Sequence, residues 1–154
     1  MSFDTQNGTR GARQPNGAPL RWINKLVGRR VARKGRMPGM GFDALVLVTV
    51  GRKSGQERRS PLGWFPGPEG SWLVVAAAAG APNNPAWYYN LAANPHRVQI
   101  EVPGRTVPVT AEQLHGAERD QAWQQIVTAS AQFAKYQEKT DRELPVIRLV
   151  AKPV

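Results

Sequence analysis

Short runs of Val, Leu, Ile and aromatic residues, separated by clusters of Gly, Pro and polar residues, dominate the chain after residue 40. Such runs predict β-strands, because β-branched and aromatic side chains pack well on a pleated sheet. The Gly and Pro clusters at residues 66–70 and 103–105 predict tight turns between strands. The predicted strands are Ala44–Val50, Arg58–Phe65, Ser71–Ala78, Val98–Val102, Thr106–Gln113 and Pro145–Ala151.

Three segments between and after these runs predict helices instead. They are Pro85–Ala93, which has a proline at its first turn, then Ala117–Ser130 and the shorter Gln132–Lys139. Six short strands with a few helices predict a mainly β protein of the α+β class. The expected architecture is a small, partly open β-barrel with helices covering its ends, occupying residues 40–154.

The N-terminal part of the chain has a different pattern. Residues 1–18 are polar and rich in Gly, without periodicity, and are expected to be a disordered basic arm. Residues 19–36 are expected to form an amphipathic helix, with apolar residues such as Ile23 and Val27 on one side and basic residues such as Arg29 and Arg33 on the other. This pattern is typical of a helix on an anionic membrane surface, but also of a terminal helix that caps the domain.

The distribution of charge also distinguishes the N-terminal part from the rest of the chain. The net charge is +10, and residues 1–40 contain nine Lys or Arg against a single acid, Asp4. An arm of this kind favours an anionic partner such as a membrane surface or a polyanionic ligand. With only Phe3 and Trp22 as aromatic residues in the arm, base stacking has little support, and no nucleic-acid partner is expected.

Composition also excludes several kinds of chemistry. The chain has no cysteine and two distant histidines, so a thiol nucleophile and a zinc site are excluded and no metal is expected. No run approaches the roughly 18 apolar residues of a membrane span, and no secretory signal is visible. The protein is therefore expected to be cytoplasmic, with peripheral attachment to the inner face of the cell membrane left open. The scattered acids give no pair for hydrolysis.

The predicted turn between the first two strands concentrates positive charge. It contains Arg52, Lys53 and Ser54, and Arg58 and Arg59 follow at the start of the second strand. Backbone N–H groups and cations at a turn can bind a phosphate or carboxylate, although charged turns are also common on ordinary surfaces. Successive strand residues point to opposite faces, so one of the two arginines would face back towards Lys53.

Two other segments are suited to binding a flat molecule. The alanines at residues 76–79 would let a planar ring lie close to a strand, but a buried core strand explains them equally well. Trp87, Tyr88 and Tyr89 are consecutive on a predicted helix, so at most one or two of them face a ligand and the others pack in the core. Asn90 is placed either to cap locally or to contact a ligand.

These motifs together resemble the deazaflavin-dependent nitroreductase family, whose members are reductases that use coenzyme F420. The resemblance is carried by VLVTVGRKSGQERRSPL, the alanine-rich run, PAWYYNLAANP and KYQEKTDRELPVIRL, in consistent order from Leu45 to Pro153. It implies a split β-barrel of the flavin-reductase and pyridoxamine-phosphate-oxidase type. It also implies coenzyme F420 as the cofactor, with FMN the less expected alternative.

The resemblance implies a set of site residues as well. The charged turn would contact the phosphate or glutamate tail of the cofactor, and the alanines would lie along its deazaflavin ring. Tyr136 would be the catalytic residue on the substrate side, and the proton would come either from Tyr136 or from solvent. The cofactor-binding residues would be Arg52, Lys53, Ser54, Arg58, Arg59, Ser60, Pro61, Leu62, Gly63, Ala76, Ala77, Ala78, Ala79, Ala86, Trp87, Tyr88, Tyr89, Asn90 and Phe133.

The implied activity is hydride transfer from the reduced cofactor to an electron-poor acceptor. Nitro-drug-activating members of the family have a serine where this chain has Ala77, and tyrosines where it has Ser130 and Phe133. The missing hydroxyls favour a less polar acceptor, such as a quinone, an enone or an unsaturated lactone. A non-catalytic flavin or deazaflavin carrier and a membrane-associated binding module are the alternatives. A homodimer is compatible with the implied fold.

Overall fold

The computed structural model describes residues 3–12, 27–35 and 43–153 of the 154-residue chain. In these ranges the strands are β1 (Ala44–Val50), β2 (Glu57–Gly63), β3 (Phe65–Pro66), β4 (Trp72–Val75), β5 (Val98–Val102), β6 (Arg105–Gln113) and β7 (Val146–Ala151). The helices are α1 (residues 27–34), α2 (Ala86–Ala93), α3 (Gly116–Ala129) and α4 (Ala131–Lys139).

All seven strands belong to one antiparallel sheet with the order β2-β1-β5-β6-β7-β4-β3. The two outermost strands, β2 and β3, are separated in the chain only by Trp64. Since one residue spans less than about 4 Å, the sheet must curl until its two edges meet. The Trp64 backbone N–H donates to the Asp43 carbonyl at 2.9 Å and fixes this corner.

The curled sheet has a core on each side. Inside the curl, Leu47, Ile100 and Leu149 pack with Trp87 and Leu91 of α2. Outside, α3 and α4 cover β4 and β7, with a cluster of buried residues that includes Leu73, Phe65, Ile126, Phe133 and Val146. A third cluster joins Val31 of α1 to Ala44, Val46 and Val48 of β1. Successive residues of β1 are buried in different clusters, Leu45 and Leu47 with α2 and Ala44, Val46 and Val48 with α1, so the two helices lie on opposite faces of the same strand.

The third predicted strand is shorter than expected. The sequence analysis extends it from Ser71 to Ala78, but β4 ends at Val75. The Ala76 N–H still donates to the Pro145 carbonyl at 2.9 Å, and the backbone then enters a left-handed turn with φ of 48° at Ala78 and 53° at Ala79. A left-handed backbone cannot continue a sheet, so the predicted strand wall of alanines is wrong in its conformation.

The N-terminal segment, residues 3–12, lies along the body of the protein, although its composition is typical of disordered chains. Its Gly8 N–H donates to the Pro82 carbonyl at 2.7 Å, and the Thr9 N–H donates to an Asp141 carboxylate oxygen at 2.8 Å. The predicted division into residues 1–18, 19–36 and 40–154 includes residues outside the described ranges and stays a prediction.

The described part of the amphipathic segment is α1. Val31 is fully buried against the sheet, with Val27 and Ala32 beside it, while Arg29, Arg30, Arg33 and Lys34 are exposed. The apolar residues at 20, 23 and 26 lie outside the described residues. In α1 the apolar side therefore packs on the domain. Within the described ranges, no helix has both the length and the apolar character needed to cross a bilayer.

Candidate cofactor-binding site

A hollow of about 350 Å³ lies where the turn between β1 and β2 faces helix α2. We call it the β1–β2 hollow. It collects residues from three separate segments, namely the turn, the first half of β2 and the N-terminal half of α2. The lining residues are Gly51, Arg52, Lys53, Ser54, Arg58, Arg59, Ser60, Ala86, Trp87 and Asn90. Nine of these ten were predicted as cofactor-binding residues, and the structure brings them together.

Strand register explains which β2 side chains face the hollow. Arg58 lies opposite Thr49 and Ser60 lies opposite Leu47, so these two share the face of β1 that is directed at the inner core and α2. Arg59 lies opposite Val48, on the face covered by α1. The expectation that only one of the two arginines faces the turn is confirmed, because the Arg58 guanidinium donates to Ser54 Oγ at 3.4 Å.

The other arginine is engaged elsewhere. Both terminal nitrogens of the Arg59 guanidinium donate to the Glu101 carboxylate on β5, and Glu57 lies 3.8 Å away. The hydrogen bonds to Glu101 raise the pKa of Arg59. The positive charge of Arg59 is therefore already neutralised, although the residue lies at the rim of the hollow.

Asn90 fastens the turn to helix α2. Its Nδ2 group donates to Thr49 Oγ1 at 3.3 Å, and its Oδ1 atom accepts from the Arg52 backbone N–H at 3.1 Å. Asn90 is 7% exposed, so these bonds are shielded from water. Turn and helix are thus held at a fixed separation, and this separation is the width of the hollow.

The charge of the hollow is strongly positive. Across the described residues, no carboxylate forms an ion pair with Arg52, Lys53 or Arg58. The Arg52 guanidinium lies 4.8 Å from the centre of the Tyr89 ring, a cation–π contact that holds it beside α2. Three cations at and beside one turn, with no carboxylate partner among the described residues, form a site for a multiply anionic molecule.

Two of the aromatic residues of α2, Trp87 and Tyr88, have different surroundings. Trp87 lines the hollow and is 8% exposed. Tyr88 is 1% exposed and points into the core, where its hydroxyl donates to Gln113 Oε1 and accepts from the Thr5 N–H. Burial raises the pKa of the Tyr88 hydroxyl. Tyr88 is therefore a core residue, and its predicted contact with the cofactor finds no support in the geometry.

The alanine segment, residues 76–81, follows β4 and leads towards α2. Ala76 and Ala77 are buried, whereas Ala79 is exposed. The alanines are not among the residues that line the hollow, and neither are Pro61, Leu62 or Gly63 at the far end of β2. Their predicted roles in cofactor binding remain predictions.

Sequence reasoning missed the residue that holds this segment. Arg142 is 2% exposed, and its guanidinium donates to the carbonyl oxygens of Ala76, Ala77 and Ala81 and to Asn84 Oδ1. Burial lowers the pKa of Arg142, which still leaves an arginine protonated at neutral pH. Arg142 lies within the closing motif KYQEKTDRELPVIRL, but nothing in that motif shows what the side chain binds.

Tyr136 and Phe133 lie on α4, which packs next to the alanine segment. The Phe133 ring packs edge to face against Phe65 and Tyr136, with centres 5.6 Å and 5.8 Å away. Tyr136 Oη accepts a hydrogen bond from Gln132 Nε2 at 2.7 Å. That bond uses an oxygen lone pair and leaves the hydroxyl proton available. Over the described residues, no group of His, Asp or Glu side chains is arranged to bind a metal ion.

The chain is similar to known proteins over most of its length. The family model of F420H(2)-dependent quinone reductases matches residues 20–151. The F420H(2)-dependent quinone reductase Rv1261c of Mycobacterium tuberculosis is 33% identical over 145 residues, which is 84% of this chain and 95% of the relative.

Two solved structures agree in fold. A structure of an F420-H2 dependent reductase (FDR-A) superposes with a TM-score of 0.62 at 37% identity, covering 69% of this chain and 92% of its own. A structure described as a domain-swapped dimer has a TM-score of 0.63 at 33% identity, covering 86% and 99%. The expected split β-barrel and the resemblance to F420-dependent reductases are both confirmed. The chain belongs to the F420H(2)-dependent quinone reductase family.

Proposed function

We propose that this protein binds reduced coenzyme F420 in the β1–β2 hollow and reduces a quinone by hydride transfer. The observation that carries the proposal is a set of three cations, Arg52, Lys53 and Arg58, around a hollow in a chain of this family, with no carboxylate paired to them among the described residues. The cofactor has a phosphate and a glutamate tail, and cations on a preformed turn are the groups that bind such anions.

The hollow suits part of the cofactor in shape as well as in charge. A hollow of about 350 Å³ lies in the range of small-molecule sites, roughly 300–1,000 Å³. Its cationic side is formed by the turn and by Arg58. Its other side is formed by Ala86, Trp87 and Asn90, where the small side chain and the indole offer an apolar surface. Charged groups and a ring can therefore be bound at the same time.

When it is bound, reduced F420 supplies a hydride, which is the demanding part of the chemistry. The chain's own residues bind, orient and protonate. Lys53 and Arg58 hold the anionic part, and Asn90 fixes the turn at a set distance from α2. Tyr136 keeps its hydroxyl proton available, because it accepts rather than donates in its bond to Gln132. Tyr136 is therefore the proposed proton donor to the reduced acceptor.

The residues that differ from the nitro-drug-activating pattern support a quinone over a nitro compound. Phe133 stands where a tyrosine is expected in those members, and its buried ring packs against Phe65 and Tyr136 without adding a hydroxyl. Ala77 and Ser130 remove two further large or polar groups relative to that pattern. With fewer hydroxyl groups, an apolar acceptor with ring carbonyls is the better match, and enones and unsaturated lactones share this chemistry.

Assembly and location are separate parts of the proposal. The similarity to a domain-swapped dimer supports a homodimer. The exposed cations of α1, namely Arg29, Arg30, Arg33 and Lys34, support electrostatic contact with an anionic membrane from the cytoplasmic side. Because the apolar side of α1 is already packed on the sheet, such contact would be salt-sensitive and without deep insertion. A sedimentation assay with anionic and neutral vesicles at low and high salt tests it.

A titration followed by a turnover assay tests the proposed function. Purified protein is titrated with F420 and, separately, with FMN while cofactor fluorescence is recorded. Reduced F420 is then supplied with a quinone and with an enone. Tight F420 binding, weak FMN binding and quinone turnover support the proposal. Preference for FMN would contradict the cofactor assignment, and F420 binding without turnover of any acceptor would indicate a carrier protein.

A further inference from the structure

Arg142 is a buried cation that the proposed chemistry does not use. It is 2% exposed, and all of its side-chain nitrogens donate hydrogen bonds. Within the described ranges it has no carboxylate partner in an ion pair, and its neighbour Asp141 binds the N-terminal segment instead. Burying a charge without a counter-ion is energetically unfavourable. The hydrogen bonds from Arg142 to its acceptors must therefore offset this cost.

The acceptors belong mainly to the alanine segment. The Arg142 Nη1 and Nη2 atoms lie 2.8 Å from the Ala76 oxygen and 2.9 Å from the Ala77 oxygen. Nε and Nη2 lie 3.2 Å and 3.1 Å from the Ala81 oxygen. One guanidinium thus holds both ends of a turn. Only an arginine has the planar fork of five donors that such a set of carbonyls requires.

The turn between those ends is strained. Ala78 and Ala79 both have left-handed backbones, with φ of 48° and 53°, a conformation that is unfavourable for any residue with a Cβ atom. Strained backbone of this kind persists where surrounding contacts fix it, and it is concentrated at functional sites. Without the guanidinium, the alanine segment would relax to an extended or right-handed path.

A second branch of bonds leads from Arg142 to the β1–β2 hollow. Arg142 Nη1 donates to Asn84 Oδ1 at 2.8 Å, and Asn84 Nδ2 lies 3.4 Å from the Tyr89 hydroxyl. The Arg52 guanidinium lies 4.8 Å from the centre of the Tyr89 ring, in a cation–π contact. Asn84 is buried, so this connection is shielded from water. A displacement of Arg142 would therefore be transmitted to Arg52, which is one of the cations that line the hollow.

We propose that Arg142 is a positioning residue for the cofactor: it fixes the strained alanine segment directly and Arg52 indirectly, through Asn84 and Tyr89. This inference rests on the proposed function, since it takes the β1–β2 hollow as the F420 site. Arg142 acts through other residues and touches neither cofactor nor acceptor in this assignment. Its expected signature is a loss of cofactor affinity in protein that remains folded.

Arg142→Lys tests the inference, and Arg119→Lys is the matched control. Arg119 is also a buried arginine, but among the described residues it donates to the Leu144 carbonyl and stacks on Trp123, with no hydrogen bond to the alanine segment. Both variants are examined for thermal unfolding, for F420 dissociation constant by fluorescence, and for KM and kcat separately. Arg142→Lys should raise the F420 dissociation constant on the order of tenfold. Arg119→Lys should lower the unfolding temperature and leave the dissociation constant unchanged.

Asn84→Ala gives a second readout if Arg142→Lys fails to fold. It removes the branch to Tyr89 and the bond to the Thr5 carbonyl, and it leaves the bonds from Arg142 to the alanine segment in place. It should weaken F420 binding by a smaller factor without altering the acceptor KM. Equal F420 affinity in wild type and in the folded Arg142→Lys or Asn84→Ala variant would overturn the positioning role and leave the proposed function intact. A parallel loss of affinity in Arg119→Lys would also overturn it. Failure of the wild-type protein to bind F420 would remove both.

Discussion

The Asn90 side-chain oxygen accepts a hydrogen bond from the Arg52 backbone N–H at 3.1 Å, and this bond joins helix α2 to the turn between β1 and β2. The same amide donates to Thr49 Oγ1 at 3.3 Å. Two elements that are distant in sequence are thereby fixed at the edge of one hollow. The geometry of the site depends on this amide more than on any cation at the rim.

Replacing Asn90 by Ala is expected to lower stability and cofactor affinity together. The substitution removes the partners of the half-buried Arg52 N–H and of the buried Thr49 Oγ1, at a cost of about 1–3 kcal/mol for the buried group. Thermal unfolding and F420 fluorescence titration measure the two effects. Asn94→Ala, at the other end of the same helix, is the control and should leave F420 affinity unchanged. An Asn90→Ala variant that binds F420 like the wild type would contradict the role of the amide.

The cations that line the hollow, in the turn and at the start of β2, are expected to contribute most of the affinity for F420. Lys53→Ala and Arg58→Ala should each weaken binding on the order of tenfold at low salt, because each removes a charge-assisted contact to an anion. The loss should shrink as the salt concentration rises and screens the charges. Arg105→Ala, in the turn at the other end of the sheet, is the control. Unchanged affinity in both Lys53→Ala and Arg58→Ala would contradict the assignment of the hollow as the F420 site.

Arg59 should behave differently from its neighbour Arg58. Its guanidinium is paired with Glu101, and its side chain is 48% exposed. Arg59→Ala should therefore change the free energy of unfolding by no more than about 0.2–1 kcal/mol and should affect F420 binding much less than Arg58→Ala does. Denaturant titration and fluorescence titration of the two variants side by side give the comparison. A larger effect on F420 binding at Arg59 would show that Glu101 releases it to the cofactor.

Tyr136→Phe should alter turnover and spare cofactor binding. The variant retains the ring contact with Phe133 and loses only the hydroxyl, so the fold and the F420 dissociation constant should stay as in the wild type. A lost proton donor is expected to lower kcat by about tenfold or more. Steady-state assays with a quinone provide kcat and KM. Equal losses in F420 affinity and in kcat would argue against a role on the acceptor side.

The docking of the N-terminal segment through Asp141 should depend on pH. Hydrogen bonds from the Thr9 hydroxyl and N–H hold the pKa of Asp141 below its ordinary value. A depressed pKa stabilises the docked segment at every pH above the ordinary Asp pKa, about 3.9, and this stabilisation is lost as the pH falls through the lowered value. The Thr9 amide chemical shift should therefore be constant from neutral pH to about pH 4 and change below that. In Asp141→Ala the undocked shift is expected at every pH.

The strands and helices were largely predictable because local pattern decides them. The predicted bounds of β1 and β5 agree with the structure, and the predicted end of α4 at Lys139 is confirmed. Alternation along β2 also predicted that Arg58 and Arg59 would separate. In each case the signal lies in neighbouring residues, either as alternation, as helical spacing or as a Gly or Pro boundary.

Two features depend on distant residues and could not be predicted locally. The left-handed turn at Ala78 and Ala79 is fixed by Arg142, more than sixty positions away in the chain. Alanine is common in helices, strands and turns, so a run of alanines does not indicate such a turn. The docked N-terminal segment likewise depends on Asp141 and Pro82, and its polar composition gives no sign of the contact.

The position of β7 in the sheet has a consequence for how the chain folds. The strand Val146–Ala151 lies between β6 and β4, and Val74 of β4 pairs with Ile147 across more than seventy residues. Closing a loop of that length is entropically unfavourable until the pairing contacts form. The β7-facing edge of residues 72–75 therefore stays unpaired until β7 arrives, whereas Trp72 and Leu73 can pair locally with β3. Removal of residues 146–151 should leave β4 and β6 as open edges, and such a chain should aggregate during refolding.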